Sequence, residues 1–312
     1  MELKINGAYC EDANEQIGKV DNLVKFYNKK TALDGITANI PKDRIVGLIG
    51  KNGSGKTTLL KILAGRTRHN EGDVIINGQA PYNNLEVLKD MLLLDSNYYY
   101  GDKIKIKDIF KKYSIMFDEF DMDFALKILD VFEISPKNSY TSLSQGMRAV
   151  VNLTCALACR VKVILLDEPL IGMDTNVRKR MCEILLKEQD KHPRTFIISS
   201  HLLNELEGII TDVLLINEGK VVLQSTLDDI YQQVYKVSGD EKILQEFCEG
   251  KNIIYKNEGS ISSFAVINEE INEELEKEIK NRGLSAKLVK IEELLVYVND
   301  ENKGENVECL WN

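Results

Sequence analysis

A glycine-rich turn that runs into a lysine and a threonine carries the most specific chemistry in this sequence. Residues 50–57 read G-K-N-G-S-G-K-T and match the pattern G-x-x-x-x-G-K-[ST]. The glycines of this pattern let backbone N–H groups turn inward around phosphates, and the positive end of the following helix adds to the attraction. We expect Lys56 to neutralise the β- and γ-phosphate oxygens and the Thr57 hydroxyl to bind Mg²⁺. The segment therefore predicts a nucleoside triphosphate site rather than a structural glycine-rich turn.

Three polar side chains at the ends of apolar runs are candidates to complete that site. Asp167 and Glu168 follow "V-I-L-L", and His201 follows "F-I-I-S-S". We expect Asp167 to orient Mg²⁺ beside the phosphate loop, and Glu168 to act as the general base that polarises an attacking water. His201 is expected to contact the γ-phosphate. Taken alone, each residue also fits a plain strand end or a structural histidine, and a shared phosphate site favours the catalytic interpretation.

The elements that would position these residues alternate between strand and helix. Residues 44–65 read as a strand, a loop and a helix, and the runs before Asp167 and His201 are short and continuously apolar. Such runs are typical of strands that are buried on both faces of a parallel sheet. Helical stretches at 145–160 and 174–190 separate them. This alternation predicts an α/β fold.

The segment 19–27 alternates apolar and polar side chains. This period of two indicates a half-buried strand, and we predict an edge strand there, followed by a second strand at 35–40. The first 18 residues fit no element that the sequence predicts.

The length and composition of the sequence indicate a folded chain that has no excess of basic residues. The 312 residues are 44% hydrophobic, which is enough for a substantial core. The formal charge of −9 argues against a general nucleic-acid binder, since such proteins usually carry a basic stripe. Without a long apolar run or the apolar core of a signal peptide, the chain is expected in the cytosol. Cys155 and Cys159 lack further ligand partners, so we interpret them as buried thiols rather than a metal site.

The chain changes character near residue 226, where it becomes acidic. Beyond that point we predict strands at 252–256 and 261–267, a helix over 269–283 and a closing amphipathic segment at 290–298. These short elements predict a small α+β domain.

In their order along the chain, the motifs resemble those of the nucleotide-binding subunit of an ABC transporter. The resemblance rests on Tyr27, G-K-N-G-S-G-K-T-T, L-S-Q-G-M, I-L-L-D-E-P, G-M-D and S-S-H. It implies a P-loop NTPase cassette: a mostly parallel core sheet with helices, an antiparallel β edge and a helical signature subdomain. We divide the chain into an N-terminal extension (1–18), an ABC nucleotide-binding domain (19–225) and a C-terminal accessory α+β domain (226–312).

The resemblance implies a role for each matching position. The ATP-binding residues are then Tyr27, Gly50, Lys51, Asn52, Gly53, Ser54, Gly55, Lys56, Thr57 and Thr58. Tyr27 matches the aromatic residue that stacks on adenine, and Asp174 matches the aspartate that links the sites of two subunits. Glu168 matches the catalytic glutamate and His201 the switch histidine. Thr57 and Asp167 are the expected ligands of the cofactor, Mg²⁺.

The segment L-S-Q-G-M resembles the family signature L-S-G-G-Q. In the family this signature caps the γ-phosphate of ATP held by a second subunit, so Ser144, Gln145 and Gly146 are expected to act in trans. Gln145 replaces the first signature glycine and Met147 replaces the glutamine. We therefore expect a weaker or less polar cap.

The glutamine of the family's Q-loop is missing from its expected place. Asp95, Ser96 or Asn97 stands there instead, and we favour Asp95. In the family that loop touches Mg²⁺ and passes the signal from the ATP site to the membrane subunit. The missing glutamine is therefore expected to affect the coupling between the ATP site and the membrane subunit.

The resemblance implies an ATPase subunit that dimerises around two Mg-ATP and drives separate membrane subunits from the inner face of the cell membrane. The second subunit can be identical or related. The C-terminal part resembles, more loosely, that of bacterial drug and antimicrobial-peptide exporters, which favours export or self-resistance. The alternative is a soluble ABC-type ATPase on ribosomes or DNA. Only 88 positions separate Lys56 from Ser144, too few for the long coiled coils of repair members, and we expect no nucleic-acid partner.

Overall fold

The computed structural model describes residues 13–95, 98, 100–201, 206, 208–258, 263–270, 272–290, 293–294 and 296–297. The chain divides near residue 221 into two compact units. Of the segments interpreted from the sequence, 1–12, Ser96, Asn97 and part of 290–298 lie outside the described residues. No helix in the described ranges is long and apolar enough to cross a bilayer.

The first unit, together with the strand that spans the division, contains nine strands and six α-helices among its described residues. The strands are β1 (Gln16–Tyr27), β2 (Lys30–Pro41), β3 (Ile45–Ile49), β4 (Glu71–Ile76), β5 (Met91–Asp95), β6 (Val163–Asp167), β7 (Thr195–Ser200), β8 (Asp212–Asn217) and β9 (Lys220–Thr226). The helices are α1 (Lys56–Leu63), α2 (Leu85–Leu88), α3 (Ile106–Met116), α4 (Met122–Val131), α5 (Gln145–Ala158) and α6 (Thr175–Lys191).

The larger sheet has the spatial order β5-β6-β7-β3-β8-β9. Its pairs from β5 to β8 are parallel, which confirms the mostly parallel core sheet. Every residue of β3, β6 and β7 is buried, as expected of strands that are covered on both faces. In the register of this sheet Asp167 pairs with Asp95 on one side and with Ser199 on the other. The ends of three neighbouring strands therefore bring polar side chains to one edge.

The second sheet of this unit is antiparallel, with the order β2-β1-β4. The prediction of an edge strand at 19–27 is wrong, because β1 lies in the middle of this sheet and begins at Gln16. Alternation along a strand shows only that one face is buried. The second neighbour, β4, comes more than forty residues later and cannot be inferred from the period of β1.

Helix α1 packs in the hydrophobic core between strands of the two sheets. Leu59, Leu60 and Leu63 are buried in one cluster with Val20 of β1 and Leu48 of β3. Fully burying one leucine side chain contributes about 1.5–3 kcal/mol. The core therefore fixes the start of α1, where the residues predicted to bind phosphate lie.

Helices α5 and α6 each begin at a polar side chain that caps them. Ser144 accepts the N–H of Met147 at the start of α5, and Asp174 accepts two N–H groups at the start of α6. Such caps satisfy backbone donors that have no partner inside the helix. Cys155 and Cys159 are buried and free, as we interpreted them from the sequence.

The second unit alternates helices with an antiparallel sheet. After α7 (Leu227–Gln233) come β10 (Val234–Gly239), α8 (Glu241–Cys248), β11 (Ile253–Glu258), β12 (Ser263–Asn268), α9 (Glu273–Asn281) and β13 (Ser285–Leu288). The strand order β11-β12-β10-β13 with a β-α-β-β-α-β sequence is the split βαβ arrangement. The core of this unit is built around Tyr235, Phe247 and Ile267. The helix predicted over 269–283 starts later, because the side chain of Asn272 caps it.

Candidate functional site

The turn between β3 and α1 is shaped by close approaches of the backbone. A Cβ on Gly50 would lie 2.2 Å from the carbonyl oxygen of Ile216, and a Cβ on Gly55 would lie 2.7 Å from that of Ala32. Gly53 has a φ of 86°, in the left-handed region, and open space where a side chain would be. The glycines are therefore required both by packing beneath the turn and by its backbone conformation above.

Lys56 is the buried cation of this turn. Its Nζ donates to the carbonyl oxygens of Gly50 at 2.6 Å and Lys51 at 3.2 Å. It also lies 3.9 Å from Glu168 Oε1. Burial lowers the pKa of the Lys56 ammonium, while the nearby carboxylates of Glu168 and Asp167 oppose that shift. An anionic ligand in direct contact with this desolvated ammonium would add a further charge partner for it.

The side-chain oxygens of Thr57 and Asp167, which could both bind a metal ion, lie next to each other. The Thr57 hydroxyl donates to Asp167 Oδ2 at 2.7 Å, and the Ser199 hydroxyl donates to Asp167 Oδ1 at 2.6 Å. Mg²⁺ prefers hard oxygen ligands and is commonly held by one or two carboxylates, substrate phosphates and water. The described residues contain no group of three or more His, Cys, Asp or Glu able to hold a metal by themselves. Thr57 and Asp167 therefore fit a Mg²⁺ ion that is shared with a phosphate ligand.

Glu168 and His201 form a second polar pair at this edge of the sheet. Glu168 Oε2 lies 2.9 Å from His201 Nδ1. Glu168 has a φ of 51°, a left-handed conformation that is uncommon for residues other than glycine. Its N–H donates to Ser199 Oγ at 3.0 Å. The structure thus brings the two candidate catalytic residues into contact with one another.

An open cavity of about 600 Å³ lies over these groups. The residues lining it are Tyr27, Lys30, Ala32, Asn52, Gly53, Gly55, Lys56, Thr57, Thr58, Lys61, Asp95, Asp167, Glu168 and Ile171. Tyr27 ends β1 and is 45% exposed. The size of the cavity suits a small-molecule ligand.

Sequence reasoning missed two lysines of this cavity and the buried serine beneath it. Lys30 begins β2 and Lys61 lies on α1, and neither belongs to a motif. Ser199 stands in the quoted run before His201, yet the sequence alone gives it no partner. The one signal for Ser199 in the sequence is that a polar residue lies near the end of an otherwise apolar strand.

The candidate signature residues are not among the residues that line the cavity. Ser144 and Gln145 are exposed at the start of α5, while Gly146 is buried. A Cβ on Gly146 would lie 2.5 Å from the carbonyl oxygen of Gly172. Gly172 is two residues before Asp174, the cap of α6. The structure therefore brings the signature turn against the segment of the predicted D-loop.

Comparisons with known proteins agree with this geometry. Residues 33–171 match the ABC transporter family. An uncharacterized ABC transporter ATP-binding protein of Methanocaldococcus jannaschii is 30% identical over 220 residues, which cover 69% of this chain and 80% of that protein. The lantibiotic transport ATP-binding protein SrtF of Streptococcus pyogenes is 29% identical, covering 67% and 91%.

Two further matches extend the comparison. The spermidine/putrescine import ATP-binding protein PotA of Spiroplasma citri is 32% identical, covering 68% of this chain and 62% of that protein. A dimeric structure of a bacterial ABC transporter cassette aligns with a TM-score of 0.60 at 20% identity, over 67% of this chain and 98% of the other. At 20% sequence identity this structural similarity is evidence for the fold alone.

Proposed function

The chain belongs to the ABC transporter ATP-binding proteins and is an ATPase, and from this premise we propose that it binds Mg-ATP beside Lys56 and works as one half of a dimer. One observation carries the proposal. Lys56, Asp167 and Glu168, which are far apart in the sequence, all line one open cavity at the carboxyl edge of the parallel sheet.

We assign nucleotide binding to the turn and to the basic side chains around it. The N–H groups of residues 50–57 and the ammonium of Lys56 would hold the phosphates. Lys30 and Lys61 line the same cavity and add positive charge. The half-exposed ring of Tyr27 offers adenine a flat surface on which to stack.

We assign the Mg²⁺ site to Thr57 and Asp167, whose oxygens lie 2.7 Å apart. When bound, the ion would neutralise negative charge on the β- and γ-phosphate oxygens. Asp95, which neighbours Asp167 in the register and lines the cavity, is the candidate for the Q-loop position.

We assign hydrolysis to Glu168 with the help of His201. The oxygen of a water molecule would attack the γ-phosphorus, and the bond from that phosphorus to the β–γ bridging oxygen would break. Glu168 would take the proton of the water as general base. His201 Nδ1 lies 2.9 Å from Glu168 Oε2 and would keep the carboxylate turned into the site.

Dimerisation is proposed because the signature turn of one chain does not line its own cavity. Ser144 is exposed, and its hydroxyl sits at the start of a 14-residue helix, where anions are favoured. A second subunit placed head to tail would bring Ser144 and Gly146 to the γ-phosphate held by the first. A cassette of the same fold forms a dimer, which supports dimerisation of this chain.

We further propose that the dimer drives separate membrane subunits from the inner face of the membrane, and that it serves export or self-resistance. Relatives include both a lantibiotic transport protein and a polyamine import protein. The likeness to the lantibiotic transport protein, together with the looser resemblance of the C-terminal part to bacterial exporters, supports this proposal.

The test is to tag the chain in its own cell and solubilise the membranes in detergent. We expect a multi-span membrane protein to co-purify with it and the complex to hydrolyse ATP only when Mg²⁺ is present. A chain that instead sediments with ribosomes would support the soluble alternative and contradict the proposal.

Replacing Ser144 by arginine is expected to remove ATP hydrolysis from the dimer while leaving ATP binding to the single chain intact, because the signature would act on the other chain's ATP. The measurement is ATPase activity after mixing the Ser144→Arg chain with a Lys56→Ala chain. One site of each mixed dimer then combines an intact Lys56 with an intact Ser144, so activity should return in part.

The matched controls are a chain that carries both changes and a Ser114→Arg chain. The double variant should stay inactive when it is mixed with either single variant. Ser114 is an exposed serine on α3, and its replacement should leave hydrolysis unchanged. If mixing restored no activity although the chains dimerise, the action of the signature in trans would be wrong.

A further inference from the structure

Ser199 is a polar side chain buried beneath the candidate catalytic residues. It is 0% exposed and lies at the carboxyl end of β7, next to Asp167 in the register of the parallel sheet. Its Oγ is 2.6 Å from Asp167 Oδ1 and 3.0 Å from the backbone nitrogen of Glu168. Ser199 is the first residue of the S-S-H run, but the roles assigned above fall only on the histidine of that run.

The direction of these two hydrogen bonds follows from the groups involved. A backbone N–H can only donate, so Ser199 Oγ accepts from Glu168. The single hydroxyl proton is then available for the carboxylate of Asp167, which accepts it. One oxygen atom therefore connects the side chain of one acidic residue to the backbone of the next.

The bond to Asp167 determines how its carboxylate is turned. Oδ1 is occupied by Ser199, and Oδ2 faces the Thr57 hydroxyl at 2.7 Å. A carboxylate that is held on one oxygen in a buried place presents the other oxygen in a fixed direction. Partners of this kind, which lie behind a metal ligand, commonly decide how well the ligand binds its ion.

The bond to Glu168 acts at an unusual backbone conformation. With a φ of 51°, Glu168 lies in the left-handed region, and its N–H points at Ser199. That conformation directs the Glu168 carboxylate to His201 at 2.9 Å and towards Lys56 at 3.9 Å. Such conformations persist where surrounding contacts hold them.

We propose that Ser199 is the positioning residue that sets both acidic groups of the site: Asp167 for the metal ion and Glu168 for the attacking water. It touches neither ATP nor the ion. The inference rests on the proposed function, since it takes Asp167 as a ligand of Mg²⁺ and Glu168 as the base.

The chain offers a matched control on the same strand. Thr195, at the opposite end of β7, is also 0% exposed. Its hydroxyl donates to the carbonyl oxygen of Pro41 at 3.0 Å and accepts the N–H of Asp43 at 2.9 Å. Like Ser199 it donates one hydrogen bond and accepts one, but both partners are backbone groups and neither belongs to the acidic pair.

The experiment compares Ser199→Ala, Ser199→Thr, Thr195→Val and Asp167→Asn in the full chain. Binding of Mn²⁺ is measured by electron paramagnetic resonance with a non-hydrolysable ATP analogue, so that no turnover is needed. The turnover number and the KM for ATP are measured separately at saturating Mg²⁺, and thermal unfolding is recorded for each variant.

We expect Ser199→Ala to weaken Mn²⁺ binding and to lower turnover by about tenfold each, with an unchanged KM for ATP. Ser199→Thr keeps the hydroxyl and should recover most of both properties. Thr195→Val should lose thermal stability to a similar extent and keep its Mn²⁺ affinity and turnover.

Two outcomes separate this inference from the function on which it rests. If Asp167→Asn weakens Mn²⁺ binding but Ser199→Ala matches the unmodified chain or Thr195→Val, the positioning role of Ser199 is wrong and the proposed function stands. If Asp167→Asn itself leaves Mn²⁺ binding unchanged, the assignment of the metal site fails, and the inference fails with it.

Discussion

Replacing Glu168 by glutamine is expected to lower ATP turnover by roughly 10²- to 10⁴-fold, the usual contribution of a general base. Glutamine has nearly the same shape and can keep a hydrogen bond to His201, which lies 2.9 Å from Glu168 Oε2. It cannot take the proton of the attacking water. The hydrogen bonds from Lys56 to the turn at residues 50–57 do not involve Glu168, so ATP should still bind, and ATP-loaded dimers should accumulate.

The measurement is single-turnover hydrolysis of labelled ATP, together with size-exclusion chromatography in the presence of ATP and Mg²⁺. Glu133→Gln is a matched control, because Glu133 also has a left-handed backbone, with a φ of 55°, and is exposed after α4. It should hydrolyse ATP at the unmodified rate. Unchanged turnover in Glu168→Gln would remove this residue from the role of base.

The turn at residues 50–57 between a strand and a helix was predictable because its pattern lies in consecutive residues. The pattern at 50–57 needs a strand before it and a helix after it, and both are visible in the local apolar pattern. Asp167 was predictable for a similar reason, since it ends a continuous apolar run. Local sequence is therefore enough where one short segment carries both the chemistry and its support.

What the sequence could not predict depends on pairing between distant strands. Ser199 reaches Asp167 only because β6 and β7 are neighbours in that register. The central place of β1 depends in the same way on β4, which joins it from later in the chain. Lys30 meets the cavity only through the fold of the antiparallel sheet. None of these contacts produces a hydrophobic period or a motif spacing that could be recognised within a single segment of the sequence.

The departure of the signature at Gln145 has a structural counterpart. Gly172 has a φ of 80°, and a Cβ there would lie 2.7 Å from Gln145 Cγ. Gln145, which stands where the family has a glycine, therefore packs against Gly172, which has no side chain. This contact connects the signature turn to the segment before Asp174, and it gives the unusual residue a packing role within the chain.

Replacing Lys56 by alanine is expected to raise the dissociation constant for ATP by about 10- to 100-fold, since a hydrogen bond to a charged group contributes about 1.5–3 kcal/mol. The side chain is 6% exposed and its ammonium already lies against the turn. Burial lowers the pKa of that ammonium, so the unliganded protein gains little from the charge. Its loss should therefore affect the bound state far more than the free energy of unfolding.

Isothermal titration with ATP and with AMP distinguishes loss of the phosphate contact from general damage to the site. AMP lacks the β- and γ-phosphates, so its weaker binding should change little in Lys56→Ala. Lys162→Ala, which removes an exposed lysine paired with Asp90, is the control and should bind both nucleotides normally. An equal loss of ATP and AMP affinity in Lys56→Ala, or none for either, would contradict the assignment of Lys56 to the β- and γ-phosphates.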